Sequence, residues 1–237
     1  MDKNETDLAR LPCRQFKDGA WRDFDDDAAF EVSVTLDVQG QGIKRLWAFP
    51  TDLRALALGQ ALLDLAPDGT VPRVEALGER AFAVRFEPGA PPPARPWPGA
   101  LTARDILEGA GRFMEMAGRW DATGCFHRAA LYDPLEKAFV RHVEDIGRHN
   151  CLDRLAGWSL ESGTPLAGQV LFVTARATAS LVRKAVTSGY AAMVSRSAVT
   201  TAGVAQAREA GMTLAGFSRE NRFSIFSDPH GRILARD

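Results

Sequence analysis

Seven consecutive residues, Glu144-Asp-Ile-Gly-Arg-His-Asn150, bring two carboxylates, a guanidinium, an imidazole and an amide to the start of a helical stretch. A helix N-terminus carries unpaired N–H groups that bind an anion or orient a carboxylate. Gly147 gives the backbone the freedom to turn there. Capping by Asn150 together with a surface ion-pair network is the plainer account, yet it needs fewer polar groups than this turn holds. A functional segment is expected.

A second segment, Ala122-Thr-Gly-Cys-Phe-His-Arg-Ala-Ala130, sets Cys125 and His127 two apart, so in a strand their side chains share a face. An imidazolium beside the thiol would lower its pKa and make a nucleophilic thiolate. The alternative is a buried cysteine acting as a small hydrophobe beside a hydrogen-bonded histidine. A metal is not expected: His142-Val-Glu144 matches half of a zinc deaminase signature, but the Pro-Cys-x-x-Cys half is missing and Cys151 stands alone. In a third segment, Gly216-Phe-Ser-Arg-Glu-Asn-Arg222, two arginines three apart could clasp a phosphate or pyrophosphate, or merely line a polar hairpin connection. Arg176, Arg183, Lys184 and Arg196 add to the cationic supply, and residues 168–237 carry nine Lys/Arg against four acids. Neither GxGxxG nor GxxxxGK[ST] occurs, which disfavours a Rossmann or P-loop nucleotide site.

The elements that must position these groups fall on either side of Pro88–Gly99, a proline-rich stretch that fits neither a helix nor a central strand. Residues 1–99 read as an α+β region ending in that linker. Phe30–Val38 alternates as a half-buried strand, Ile43–Phe49 pairs with it across a Gly40/Gly42 turn, and Thr51 caps a helix running through Leu65. Two more short strands are expected at Val71–Leu77 and Ala81–Phe86. Residues 100–237 open with a helix to about Arg119, capped by Thr102-Ala-Arg-Asp105. Strand patterns at 126–132, 138–143, 169–174, 191–195 and 212–217 then alternate with helical ones near 149–161, 178–188 and 200–210. That alternation predicts an α/β sheet covered by helices.

Composition bounds the function classes. The 237 residues are 46% hydrophobic and 25% charged, with a formal net charge of -1, which excludes wholesale disorder and disfavours a general nucleic-acid binder. No run of apolar residues is long enough for a membrane span, and Met1–Arg10 lacks the apolar core of a secretory signal. The three cysteines, Cys13, Cys125 and Cys151, form no close pair, so a reducing, cytoplasmic setting is expected.

Thr123-Gly-Cys-Phe-His127, Glu144–Asn150 followed by Asp153, and Gly216-Phe-Ser-Arg219 resemble, in order, the TGG-x-H, EDVGRHN-x-x-D-K and GF-x-R segments of FdhD/NarQ proteins. Thr174-Ala-Arg176 is similar to that family's SGR motif, and Met193-Val-Ser195 to the strand end before its SAPT motif. Phe49-Pro-Thr-Asp-Leu53 with Ala57-Leu-Gly59 is similar to its TPxDL…ALG segment. The resemblance covers residues 30–235. It implies a C-terminal three-layer domain like cytidine deaminases without their zinc, a smaller N-terminal α+β domain and a homodimer. It also implies an accessory role for formate dehydrogenase: sulfur is taken as a persulfide from a cysteine desulfurase and passed to the molybdenum bis-guanine-dinucleotide cofactor.

On that resemblance Phe217, Ser218, Arg219, Glu220, Asn221 and Arg222 would bind the cofactor or its GDP-like part. Arg176, Asp145, Arg148, His149 and Asn150 would contribute. Cys125 and His127 would be the reactive pair. The family's sulfur-carrying cysteines lie in a CxxC-type loop between the two halves, and Pro88–Gly99, the matching stretch here, has none. Cys125 replaces the second glycine of TGG. Two functions follow: sulfur transfer through a relocated carrier at Cys125, or a non-catalytic chaperone binding the cofactor or a guanine nucleotide.

Overall fold

A computed structural model describes residues 8–97 and 101–234, the side chains of residues 121 and 122 excepted. The chain is mixed α/β with several sheets, and its halves meet through two crossed helices.

In the first half, β3 (Val32–Val38), β4 (Gly42–Ala48), β5 (Thr70–Gly78) and β6 (Ala81–Pro88) form a sheet in the order β4-β3-β6-β5. Strict alternation buries Val32, Val34, Leu36 and Val38 on one face of β3, against Leu56, Ala57 and Leu58 of α1 (Leu53–Gln60). Two details depart from expectation. Asp52, not Thr51, is the N-cap residue; it sits in the left-handed region at φ 47° and its side chain makes no capping bond. The helix does not run evenly to Leu65 but widens into a π-helical turn over Ala61–Leu65.

Ahead of this sheet lies a hairpin that periodicity did not announce: β1 (Leu8–Lys17) and β2 (Ala20–Ala29), joined through Asp18 and Gly19, both at positive φ. Most of its residues are exposed on both faces, so no apolar stripe marks it. Residues 1–7 lie outside the described residues, as do Pro98 and Gly99 of the proline-rich stretch.

In the second half, β8 (His127–Asp133), β9 (Ala138–Asp145), β10 (Val170–Val173), β11 (Ala192–Ser195), β12 (Thr213–Arg219) and β13 (Arg222–Ser227) form one sheet. Its order is β13-β12-β11-β10-β8-β9, and β10, β11 and β12 are parallel. Four-residue β10 and β11 are wholly buried, because helices cover both faces. On one face α2 (Ala103–Glu115) packs Ile106, Ala110 and Phe113 against Tyr132, Phe172 and Val194. On the other lie α4 (Arg148–Ser162), α5 (Ala179–Thr187) and α6 (Thr201–Glu209), with Leu152, Leu155, Leu181 and Ala207 against Leu131, Leu171, Met193 and Leu214.

The capping box at Thr102 forms as expected: Asp105 N–H donates to Thr102 Oγ1 at 3.1 Å, and Thr102 N–H donates to Asp105 Oδ2 at 2.9 Å. The helix it opens stops at Glu115, and a separate turn, α3 (Trp120–Thr123), follows. A short parallel pair, β7 (Leu101–Thr102) with β14 (Ile233–Leu234), ties the end of the described chain to this entry.

Helix α4 is buried nearly all round because α1 lies across its outer side. The crossing is backbone to backbone. A Cβ at Gly59 would stand 1.7 Å from the Asp153 carbonyl oxygen, and one at Gly157 would stand 1.9 Å from that of Ala55. Only glycine fits at either point.

Candidate functional site

The loops that leave β10, β11 and β12 lie side by side at one end of the sheet. Ala177 N–H donates to Ala198 O at 2.9 Å, and Phe217 N–H donates to Ser197 O at 2.8 Å. The C-terminal edge of parallel strands is where open α/β sheets take ligands, since helices start there and their free N–H groups face outward. Two helices start here without help. Gly147 heads α4 with no side chain to cap it, and Thr178 heads α5 without making a capping bond. By contrast, Thr200 caps α6 by accepting from Gly203 N–H at 3.1 Å. Two uncapped N-termini, with Arg148 and Arg176 beside them, favour negative charge.

His127, at the start of β8, lies between those guanidiniums. Burial holds its imidazole below the usual range, and Arg148 and Arg176 push it further down against the pull of Asp145. The ring is therefore neutral at neutral pH. That corrects the expectation of an imidazolium activating Cys125. Cys125 also lies outside β8, following the left-handed Gly124, so the two side chains do not share a strand face. It is exposed, and its N–H donates to Thr123 Oγ1 at 3.2 Å.

Buried polar atoms without partners gather at the same end: His127 Nδ1, Arg148 Nε and Ser218 Oγ. A buried polar atom left unpaired is costly, so such atoms ask for a ligand or water. Arg219 and Arg222 pair across the β12–β13 turn, with Glu220 at φ 58° and Asn221 between them; all four are exposed. Phe217 stands at φ 53° and Ser218 is 2% exposed. These residues close the row of loops on the far side from α4.

The Glu144–Asn150 segment divides between two duties. Glu144 accepts from Arg128 Nε at 2.9 Å and from the N–H groups of Arg119 and Trp120, while Arg128, 1% exposed, also donates to Phe113 O. Asp145 is 0% exposed and is spent on Arg154, Asn150 and Gly147 N–H. Asn150 Nδ2 also donates to Trp47 O at 2.8 Å, and Arg154 donates to the carbonyls of Phe49, Thr51 and Asp52. Asp145 and Asn150, expected as cofactor ligands, therefore bind the two halves together. Arg148 and His149 alone of that group are left for the cleft.

His149 turns toward α5. Its Nε2 is 2.9 Å from Ser180 Oγ, and burial, aided by Arg148 and Lys184, takes its pKa down to about 4. Lys184, 4% exposed, reaches Asp153 at 2.5 Å and Asp64 at 2.8 Å, joining α4, α5 and the π-helical turn. Burial raises the Asp153 carboxyl to about 7 against that pull. Sequence reasoning counted Lys184 toward the cationic supply of an anion site and missed Arg128, because the partners of each lie far off in the chain. Cys151 is buried, donates to His127 O at 3.4 Å and has its thiol pKa pushed up by burial. Among the described residues no group of three or more His, Cys, Asp or Glu is placed to hold a metal ion, and no helix is long and apolar enough to cross a membrane.

Fold and cleft together define an α/β protein whose parallel-strand edge gathers uncapped helix N-termini and arginine side chains. The chain belongs to the FdhD/NarQ family, whose sequence model matches residues 77–234. It is 35% identical over 137 residues to the sulfur carrier protein FdhD of Staphylococcus haemolyticus, a match spanning 58% of this chain and 51% of that one. With protein FdhD of Methanocaldococcus jannaschii it shares 24% identity across 95% of this chain and 98% of the other. The fold is that of the crystal structure of a proposed formate dehydrogenase accessory protein from Desulfotalea psychrophila, with a TM-score of 0.78 and 21% identity over 96% of this chain and 99% of that one.

Proposed function

We propose that this protein serves formate dehydrogenase as an FdhD-type accessory protein, binding the molybdenum bis-guanine-dinucleotide cofactor as cargo and promoting its sulfuration before insertion. The observation that carries this is the meeting of two uncapped helix N-termini with Arg148 and Arg176. The residues present suit a pyrophosphate: guanidiniums pair its oxygens in forks, and buried Arg148 Nε and Ser218 Oγ lack partners that the cargo would supply. Arg219 and Arg222 hold the outer phosphates, with Phe217, Glu220 and Asn221 shaping the turn. A homodimer, a cytoplasmic setting and a cysteine desulfurase as sulfur donor belong to the same proposal.

GDP titration of the full chain tests the cleft. Arg176→Ala is expected to weaken binding about tenfold or more, the worth of one charge-assisted hydrogen bond. An unchanged Kd for Arg176→Ala, with Arg219→Ala also unchanged, overturns the assignment.

Sulfur transfer would run through Cys125, the exposed thiol nearest His127 in sequence. Its thiolate attacks the sulfane sulfur of a desulfurase persulfide, the S–S bond breaks, and the donor leaves as a thiolate while Cys125 keeps the sulfur. A second reading, a chaperone that binds cofactor or guanine nucleotide without sulfur chemistry, draws on three observations. The linker has no cysteine. It passes the opposite end of the sheet, where Arg95 pairs with Asp133 and its N–H donates to Ala167 O. His127 is neutral. Intact mass after incubation with a cysteine desulfurase and cysteine decides between them. An added sulfur that Cys125→Ser abolishes supports the carrier, and no added sulfur in the parent chain leaves the chaperone.

A further inference from the structure

Lys184 sits where three elements meet: α4, α5 and the π-helical turn that follows α1. It is 4% exposed, and its ammonium reaches Asp153 Oδ1 at 2.5 Å, Asp64 Oδ2 at 2.8 Å and Gln60 Oε1 at 3.4 Å. Those three acceptors use all the donors that a lysine has. Two carboxylates therefore share one cation. Asp153 comes from α4 and is 0% exposed, while Asp64 comes from the first half of the chain and keeps a side chain that is 25% exposed.

That sharing is costly when both carboxylates are ionised, because two negative charges then face one positive charge inside the protein. Asp153 Oδ2 is buried and has no partner, so part of its charge is left unsolvated. The groups around the cluster do not offset it. Asp145 of β9 adds negative charge, Arg183 of α5 is turned out to solvent, and His149 of α4, with its pKa taken down to about 4, is neutral at neutral pH. A proton on Asp153 relieves the cluster. Lys184 is then left with one carboxylate, Asp64, and that pair ties the π-helical turn to α5. Burial above all, with Asp64 and Asp145 behind it, holds the Asp153 carboxyl at about 7 against the pull of Lys184. The proton is exchanged near neutral pH.

We infer that Asp153, Lys184 and Asp64 form a proton-operated latch between the two halves of the chain. Proton uptake by Asp153 gives Lys184 to Asp64 and closes the π-helical turn onto α4 and α5. Proton loss divides the lysine between two carboxylates and slackens the turn. The turn walls a cavity of about 540 Å³, lined also by His149, Ser180 and Arg183, so slackening it widens that cavity. Linkage sets the sign. The closed form holds the proton more tightly than an opened, solvated one, so the latch is tightest below about pH 7 and loosens as pH rises through that value.

Hydrogen exchange of the full chain at pH 6 and pH 8, read by mass spectrometry and corrected for the intrinsic rate at each pH, measures the opening of Ala61–Leu65. Protection of that turn in the parent chain is expected to fall about tenfold between the two, as a carboxyl ionising near 7 when closed and near 4 when opened requires. Asp153→Asn keeps the shape without the charge and should leave protection equal at both pH values. Asp64→Asn, at a partly exposed side chain, removes the first-half partner and should leave the turn poorly protected at pH 6 and pH 8 alike. Equal protection at the two pH values in the parent chain overturns the latch. So does a tenfold fall that either variant preserves.

Discussion

Arg154→Ala is expected to cost about 3–5 kcal/mol of stability, the range for stripping one partner from a buried ion pair. The variant leaves Asp145, 0% exposed, with a charge that only Asn150 and the Gly147 N–H still oppose. It also strands the carbonyls of Phe49, Thr51 and Asp52, which the guanidinium gathers into one cap on the first half. Those carbonyls belong to the chain just ahead of α1, where Asp52 holds left-handed backbone without a side-chain cap. Remove the cation and nothing offsets that geometry. Stability of native domains is itself only about 5–15 kcal/mol, so the loss is a large share of the total. Thermal denaturation should show the midpoint fall by about 6–20 °C for a chain of this size. Arg154→Lys keeps the charge but not the fork, and should fall between the variant and the parent. A midpoint for Arg154→Ala within two degrees or so of the parent would mean that the halves are held by apolar packing alone.

The sequence showed the central strands of the second sheet clearly because burial there is nearly complete. Val170–Val173 and Ala192–Ser195 read as strands from composition alone, and the helix that follows each was placed to within a residue or two. The β1–β2 hairpin was illegible for the opposite reason: with both faces exposed there is no period to read. The candidate site was half legible. Five polar groups at one turn marked Glu144–Asn150 as unusual, but spacing could not divide them. On α4, Asn150 and Arg154 recur at helical spacing toward the other half, while His149 turns to α5. That division depends on where α1 lies. Arg128 and Lys184 were hidden similarly, since a buried cation is defined by partners 16 and 31 residues along the chain. The clearest local signal of the junction went unread: Gly59 and Gly157 sit inside helical stretches, where glycine costs stability unless a close approach requires it.

Gly157→Ala and Gly59→Ala should each destabilise by about 3 kcal/mol or more, at the upper end for overpacking, because the added methyl meets a backbone carbonyl that cannot swing aside. At Gly157 the clash is with Ala55 and at Gly59 with Asp153, so the helices must separate in either case. Gly59 adjoins Gln60 and the π-helical turn, and its clash falls on Asp153, which holds Lys184 of α5. Gly157 lies two turns further along α4 than His149, beside the start of α1. Chemical denaturation of each variant against the parent chain measures the loss. If both lose stability by less than about 1 kcal/mol, the helices do not cross in backbone contact.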